Sequence, residues 1–213
     1  MNLLAHEMAE LNELLMSCTN SIQSMALFIN QAQNPQLREM ITRHYAVHVQ
    51  DYNMKVEFAK QRFGSTDQLN VPELQQMMPQ TTNLQNRGQA PHNPLSAQQP
   101  APVQPEIQLS QLDDRAIATS YLLTLKRAGR EYAWATFETS TPQLRSFLED
   151  AFRMCSHQAF EVWQWMVQQG WYPAVMAPQQ AVQTLASSYR EVPYHQPADA
   201  YQEGGKPYIN RYQ

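Results

Sequence analysis

Asn34-Pro35-Gln36-Leu37-Arg38 and Thr141-Pro142-Gln143-Leu144-Arg145 are one turn written twice. In each, a side chain with a free oxygen precedes a proline. Proline lacks the N–H that a helix interior requires but suits a first helical position, and Asn34 before the first proline can cap the N–H groups of the helix that follows. Each turn therefore ends one helix and begins the next. Upstream of the first, Met8, Leu11, Leu15, Cys18, Ile22, Met25 and Ile29 alternate spacings of three and four, which places them on one helical stripe. Downstream, Leu37, Ile41, Tyr45, Val49, Tyr52, Val56, Ala59 and Phe63 share a face, and Gly64 reads as the stop. The second copy repeats the plan. Asp113 or Asp114 caps a helix bearing Ala118, Leu122, Leu125, Tyr132 and Thr136, and a second helix carries Leu144, Leu148, Ala151, Cys155, Val162 and Met166 to a stop at Gly170. Gly129 lies in the stripe of the third helix, where it weakens the helix; close contact with a neighbour is the predicted reason.

One hairpin buries only one side of each helix, and two hairpins close a four-helix core. The predicted fold class is therefore all-α, with a first helical hairpin at 1–64, a Gln/Pro-rich crossover at 65–109, a second hairpin at 110–173 and a Tyr/Gln/Pro-rich tail at 174–213. Short loops make the helices within each hairpin antiparallel, and a long connection between hairpins gives a ferritin-like topology. A helix of about 28 residues is roughly 42 Å long, a span that about 13 extended residues cover. The linker is longer than that, so part of it is predicted to loop out or be disordered, with Met77, Met78 and Leu95 touching the bundle. The tail lacks apolar periodicity and is predicted to be extended or disordered.

Composition narrows the function. The net charge is −4, so no basic excess is present to neutralise a phosphate backbone, and no nucleic-acid partner is expected. The apolar runs are far short of the roughly 20 residues that span a bilayer, so no membrane insertion is expected. The opening MNLLAHEMAEL has no Lys or Arg before a hydrophobic stretch and is a poor export signal. Two cysteines, Cys18 and Cys155, are too few for a disulfide scaffold and sit in apolar patterns as small hydrophobes.

Leu112-Asp113-Asp114-Arg115-Ala116-Ile117-Ala118, then Leu122-Leu123, Lys126, Glu131-Tyr132-Ala133, Glu138-Thr139, Thr141-Pro142-Gln143-Leu144-Arg145 and the closing Gly170-Trp171-Tyr172-Pro173 resemble the Coat F domain of spore coat proteins from endospore-forming Firmicutes. The first hairpin resembles it more weakly: it keeps the turn and the closing Gly but has Ser65-Thr66 where Trp-Tyr would stand. The resemblance implies a ferritin-like helical domain in the spore's protein shell, with other spore coat proteins as partners and no enzymatic activity. It implies synthesis in the mother-cell cytoplasm and deposition in the spore coat.

A ferritin-like bundle invites a test for metal chemistry, which needs carboxylates and Glu-x-x-His motifs pointing inward. The sequence holds no Glu-x-x-His. His44 and His48 at i, i+4, and His157 and Glu161 at i, i+4, are the candidates for a non-standard metal site; the first reading has no metal and no other cofactor. Cys155 and His157 are two apart and point in different directions, so nucleophilic catalysis is not expected. Trp163, Trp165, Trp171 and Tyr172 are the candidate interaction residues; Trp163 and Trp165 cannot both face one core, so one is predicted outside. Tail tyrosines, and Gln with Lys55, Lys60, Lys126 or Lys206, are candidates for cross-linking in a shell. The reading is a structural spore coat protein that forms homo-oligomers through a helix face, a dimer being the simplest. A metal-binding ferritin-like protein is the alternative.

Overall fold

The computed structural model describes residues 2–62, 68–74 and 102–192. The described residues form helices α1 (Ala5–Gln31), α2 (Pro35–Ala59), α3 (Asp114–Glu138), α4 (Pro142–Gln168) and α5 (Gln179–Ser187), with no strand among them. The first four lie in one compact unit, Met1–Ala174, and α5 in another, Val175–Gln213.

The starts of the helices follow the sequence. Pro35 and Pro142 each open a helix, and the Asn34 side chain accepts the N–H groups of Gln36 and Leu37 at 2.9 and 3.3 Å. Of the two aspartates before α3, Asp113 is the cap, accepting from Ala116 N at 2.7 Å. Asp114 turns instead to the other hairpin and accepts the N–H groups of Gln33 and Asn34 at 2.8 and 2.9 Å. Glu7 near the start of α1 does the reciprocal thing, accepting from Ser140 N and Thr141 N at 2.9 and 2.8 Å. The start of each hairpin is thus bonded to the other hairpin's turn. The arginines repeat too: Arg38 donates to Ala32 O ahead of the first turn, and Arg145 to Thr139 O ahead of the second.

These clamps set the directions. α1 and α3 are antiparallel, and α2 ends at the opposite end of the bundle from the start of α3. Each helix packs on two others: α1 on α2 and α3, and α4 on α3 and α2. The connection between the hairpins therefore joins opposite ends of this four-helix bundle, and its residues 63–67 and 75–101 lie outside the described residues. Its described flanks lie on the bundle. Gln50 is bonded to Gln68 O and Asn70 N, Leu69 is buried, and Leu112 N reaches Gln31 Oε1 at 3.0 Å. Met77, Met78 and Leu95 lie outside the described residues, as do Tyr194, Tyr201, Tyr208 and Tyr212.

Four local expectations need correction. On α1 the buried line is Glu7, Leu11, Leu14, Cys18, Ser21, Met25 and Phe28, so the stripe is rotated from the one read, and Met8 is exposed. α2 ends before Gly64: Gln61 takes the left-handed conformation at φ 55°, with Gln61 N bonded to Phe58 O and Arg62 N to Glu57 O. α4 ends by the same device with the glycine that suits it, Gly170 at φ 72°. Gly129 does face α4, but a methyl placed there would meet Cys155 Cβ at 3.5 Å, an ordinary contact, so tight packing is not its reason. Finally, the tail region contains α5, nine residues with none buried.

The core has two apolar clusters. Leu11, Leu14, Phe58, Tyr132, Phe147 and Leu148 belong to one; Met25, Leu37, Ile41, Ile117, Leu125 and Trp165 belong to the other. Along α1, α2 and α4 a polar layer separates them, formed by Ser21, His44, His48, Asp51, Lys55 and Gln158.

Candidate functional site

α2 positions most of this layer. His44, His48, Asp51 and Lys55 follow spacings of four, three and four, which is one helix face. That face points inward, so Tyr45, Val49, Tyr52 and Val56, the stripe expected to be core, are only half-buried. Asp51 and Lys55 are both 0% exposed and form an ion pair one turn apart. Tyr132 from α3 joins them: Lys55 Nζ donates to its hydroxyl at 2.6 Å, and that hydroxyl donates to Asp51 Oδ2 at 2.7 Å. The Cys18 thiol of α1 donates to the same carboxylate oxygen at 3.3 Å. Asp51 Oδ1 has no hydrogen-bond partner among the described residues. The Lys55 ammonium also lies 4.8 Å from the Tyr132 ring centre and 5.8 Å from that of Phe147, a cation–π arrangement.

The two inner histidines are held separately. His44 Nε2 lies 2.9 Å from Glu161 Oε2, and His44 Nδ1 lies 3.0 Å from the Tyr121 hydroxyl. Burial works against the charge of Glu161, but hydrogen bonds from His44 and Arg43 hold its pKa at about 2, so it only accepts. His44 therefore carries its proton on Nε2, and Tyr121 donates to Nδ1. Arg43 reaches Glu161 Oε1 at 2.8 Å. His48 Nε2 is 2.8 Å from Gln158 Oε1. His157 is outside this layer, with Nδ1 2.9 Å from Pro72 O.

Burial dominates the titration of the layer. It pushes the Cys18 thiol up to about 12 and the Cys155 thiol higher still, so both are inert, buried free cysteines. It pushes Tyr121 and Tyr132 well above the usual phenol range. It lowers His44, and lowers His48 from 6.5 to about 4. Both histidines are therefore neutral in the folded protein where an unfolded chain would bind a proton. For His48 the contribution to stability is complete above about pH 6.5 and is lost as pH falls toward 4, at up to about 1.4 kcal/mol per pH unit; His44 acts in the same direction. Denaturant titrations at stepped pH are expected to show this decline, and His48→Gln is expected to flatten it.

The donor set does not fit a ferritin-like metal centre. Of the four candidates, the structure joins His44 to Glu161, gives His48 to an amide and leaves His157 on the linker. No group of three or more His, Cys, Asp or Glu among the described residues is arranged to hold an ion. The mid-bundle carboxylate is already paired with a cation, Lys55, whose charge would repel a metal. Sequence reading missed this pair. Its signal was present as Asp and Lys at i, i+4, but that spacing usually marks a solvated ion pair. Lys55, fully buried, is also unavailable for the cross-linking considered for it; Lys60 and Lys126 are exposed.

The candidate interaction residues gather at the end of α4. Trp165 is buried in the core, Trp171 packs edge-on against it at 5.2 Å, and Trp163 also packs against the same core cluster, so neither Trp163 nor Trp165 lies outside, contrary to expectation. Trp163 is half-buried, stacked on Phe160 and edge-on to Tyr172. Trp171 and Tyr172 line a groove of about 840 Å³ with Val103, Leu109, Leu123 and Met166. Two more exposed aromatics of the bundle lie elsewhere, Trp134 (67%) and Phe137 (78%) on α3. Sequence reading passed over both; their signal was two aromatics three apart on the face opposite Tyr132.

No curated protein and no solved structure matches the chain. The second hairpin is similar to a known family, residues 113–175 matching the family model described as the Coat F domain, which supports a spore-coat setting for the chain.

Proposed function

We propose that the chain is a structural component of the endospore coat that acts by protein–protein assembly. The observation that carries this reading is the Coat F match across α3 and α4. The repeated turn, the paired clamps and the like burial of both hairpins support a further step: the first hairpin is a diverged second copy of the same unit. The interior supports a building role over a reactive one. Its thiols are protonated, its carboxylates are paired and its histidines are neutral. In this reading the mother cell makes the protein, and it joins other coat proteins through surfaces outside the core.

A fluorescent fusion expressed from the native promoter in a sporulating host tests the reading. Signal is expected to collect around the forespore and to remain with purified spores in the extracted coat fraction. Signal that stays diffuse in the mother cell, with none in the coat fraction, refutes it.

A further inference from the structure

Three exposed apolar side chains share the outer side of the α1–α3 pair: Met16 (61% exposed), Trp134 and Phe137. Between the two helices runs a groove of about 550 Å³ whose lining divides by charge. α1 supplies Glu10 and Glu13, while α3 supplies Arg127 and Arg130 beside Glu131. Arg127 is engaged within the chain, by Glu131 and by Ser17 Oγ at 2.7 Å. Glu10, Glu13 and Arg130 form no ion pair among the described residues. One edge of the face is thus acidic, the other basic, with aromatic surface between and beyond them.

We infer that this face binds a second copy of the chain, α1 of each protomer lying over α3 of its partner about a two-fold axis parallel to the helices. Such an axis keeps every residue at its own height along the bundle. Height is fixed within the protomer by Ser17, which is bonded to both Arg127 and Glu131 across the α1–α3 contact. Glu13 is one turn before Ser17 on α1, and Arg130 lies beside Arg127 on the antiparallel α3. The rotation therefore brings Glu13 of one copy within about one helical turn of Arg130 of the other, and does so twice per dimer. A like-on-like arrangement, α1 over α1, would set acid against acid. The aromatics then leave water in the middle of the contact, where Trp side chains contribute most to binding. The inference rests on the reading that the bundle works by assembly, and names the surface and the partner.

Sedimentation equilibrium of the purified full chain tests it. The parent protein is expected to be a dimer. Arg130→Glu alone and Glu13→Arg alone are each expected to weaken the dimer about tenfold or more, and Trp134→Ala about a hundredfold. All three sites are solvent-facing, so an unchanged helical circular dichroism spectrum is the control for an intact fold, while melting shifts with the loss of dimerisation. The decisive arm mixes Arg130→Glu with Glu13→Arg. Every charge pair in the mixed dimer is again of opposite sign, so the mixture is expected to dimerise. A monomeric parent, an oligomer that none of the variants weakens, or a mixture that stays monomeric overturns the inference. Any of these leaves the coat reading standing, because that reading is judged in sporulating cells.

Discussion

Replacing Lys55 with Met is expected to lower the stability of the bundle by about 3–5 kcal/mol. The change removes the cation and leaves Asp51 buried at 0% exposure with one carboxylate oxygen already without a hydrogen-bond partner. A buried charge stripped of its partner loses the Coulombic attraction but keeps the desolvation cost. The companion experiment removes the whole polar knot. Asp51→Leu, Lys55→Met and Tyr132→Phe together leave no charge and no orphaned hydroxyl in a space walled by Phe147, Met154 and Leu14. That triple variant is expected to recover to within about 1–2 kcal/mol of the parent, or to exceed it, because apolar packing replaces a pair that little more than cancels its own desolvation. Chemical denaturation followed by circular dichroism reads both. A single variant that costs under about 1 kcal/mol would mean that water reaches the pair. A triple variant as unstable as the single would mean that the polar layer orients the helices.

Glu7→Gln is expected to cost about 2–4 kcal/mol, because its carboxylate accepts five hydrogen bonds at the junction of two hairpins. Oε1 takes Ser140 N, Ser140 Oγ and Thr141 N, while Oε2 takes Leu4 N and Thr141 Oγ1. An amide would turn an NH₂ group toward donors on one side. Although burial opposes its charge, the hydrogen bonds from Leu4, Thr141 and Ser140 hold the Glu7 pKa at about 2. The sign follows: this contribution is complete above about pH 4.5 and disappears as pH falls toward 2. Glu7→Gln is therefore expected to flatten the acid limb of the stability profile below pH 4.5. Asp114→Asn is the matched comparison. It sits in the equivalent place in the second hairpin but serves two N–H groups at a more exposed turn, so about 1 kcal/mol is expected. Equal losses at the two sites would contradict the asymmetry in burial.

The helices were legible because their punctuation is local. Proline at a first helical position, an Asn or Asp cap and a closing glycine act over a few residues, and Pro35, Pro142, Asn34, Asp113 and Gly170 all do what such residues do. The inward faces of α3 and α4 were legible because their buried residues are mostly apolar. The middle of α2 was not, since its buried positions there include His44, His48, Asp51 and Lys55, and hydrophobic periodicity cannot see a polar stripe whose partners come from elsewhere in the chain. Tyr132, Cys18, Gln158 and Glu161 are those partners, and each lies on a different helix from the residue it serves. The clamps of Glu7 and Asp114 were hidden for the same reason: a carboxylate in a first turn reads as a dipole partner for its own helix, not as the cap of another. Gln61 shows a third limit. A glycine three residues away was the better candidate stop, yet the helix ended where its last buried side chain, Phe58, had been placed.

The central claim is that this bundle's interior is built from protein groups alone, with Lys55 as the cation at its middle. Elemental analysis of the full chain, purified from sporulating cells supplied with iron, manganese and zinc, tests that claim most directly. The account predicts metal far below one ion per chain, unchanged by His44→Ala or His48→Ala. A stoichiometric ion in the parent protein that disappears in those variants would contradict it.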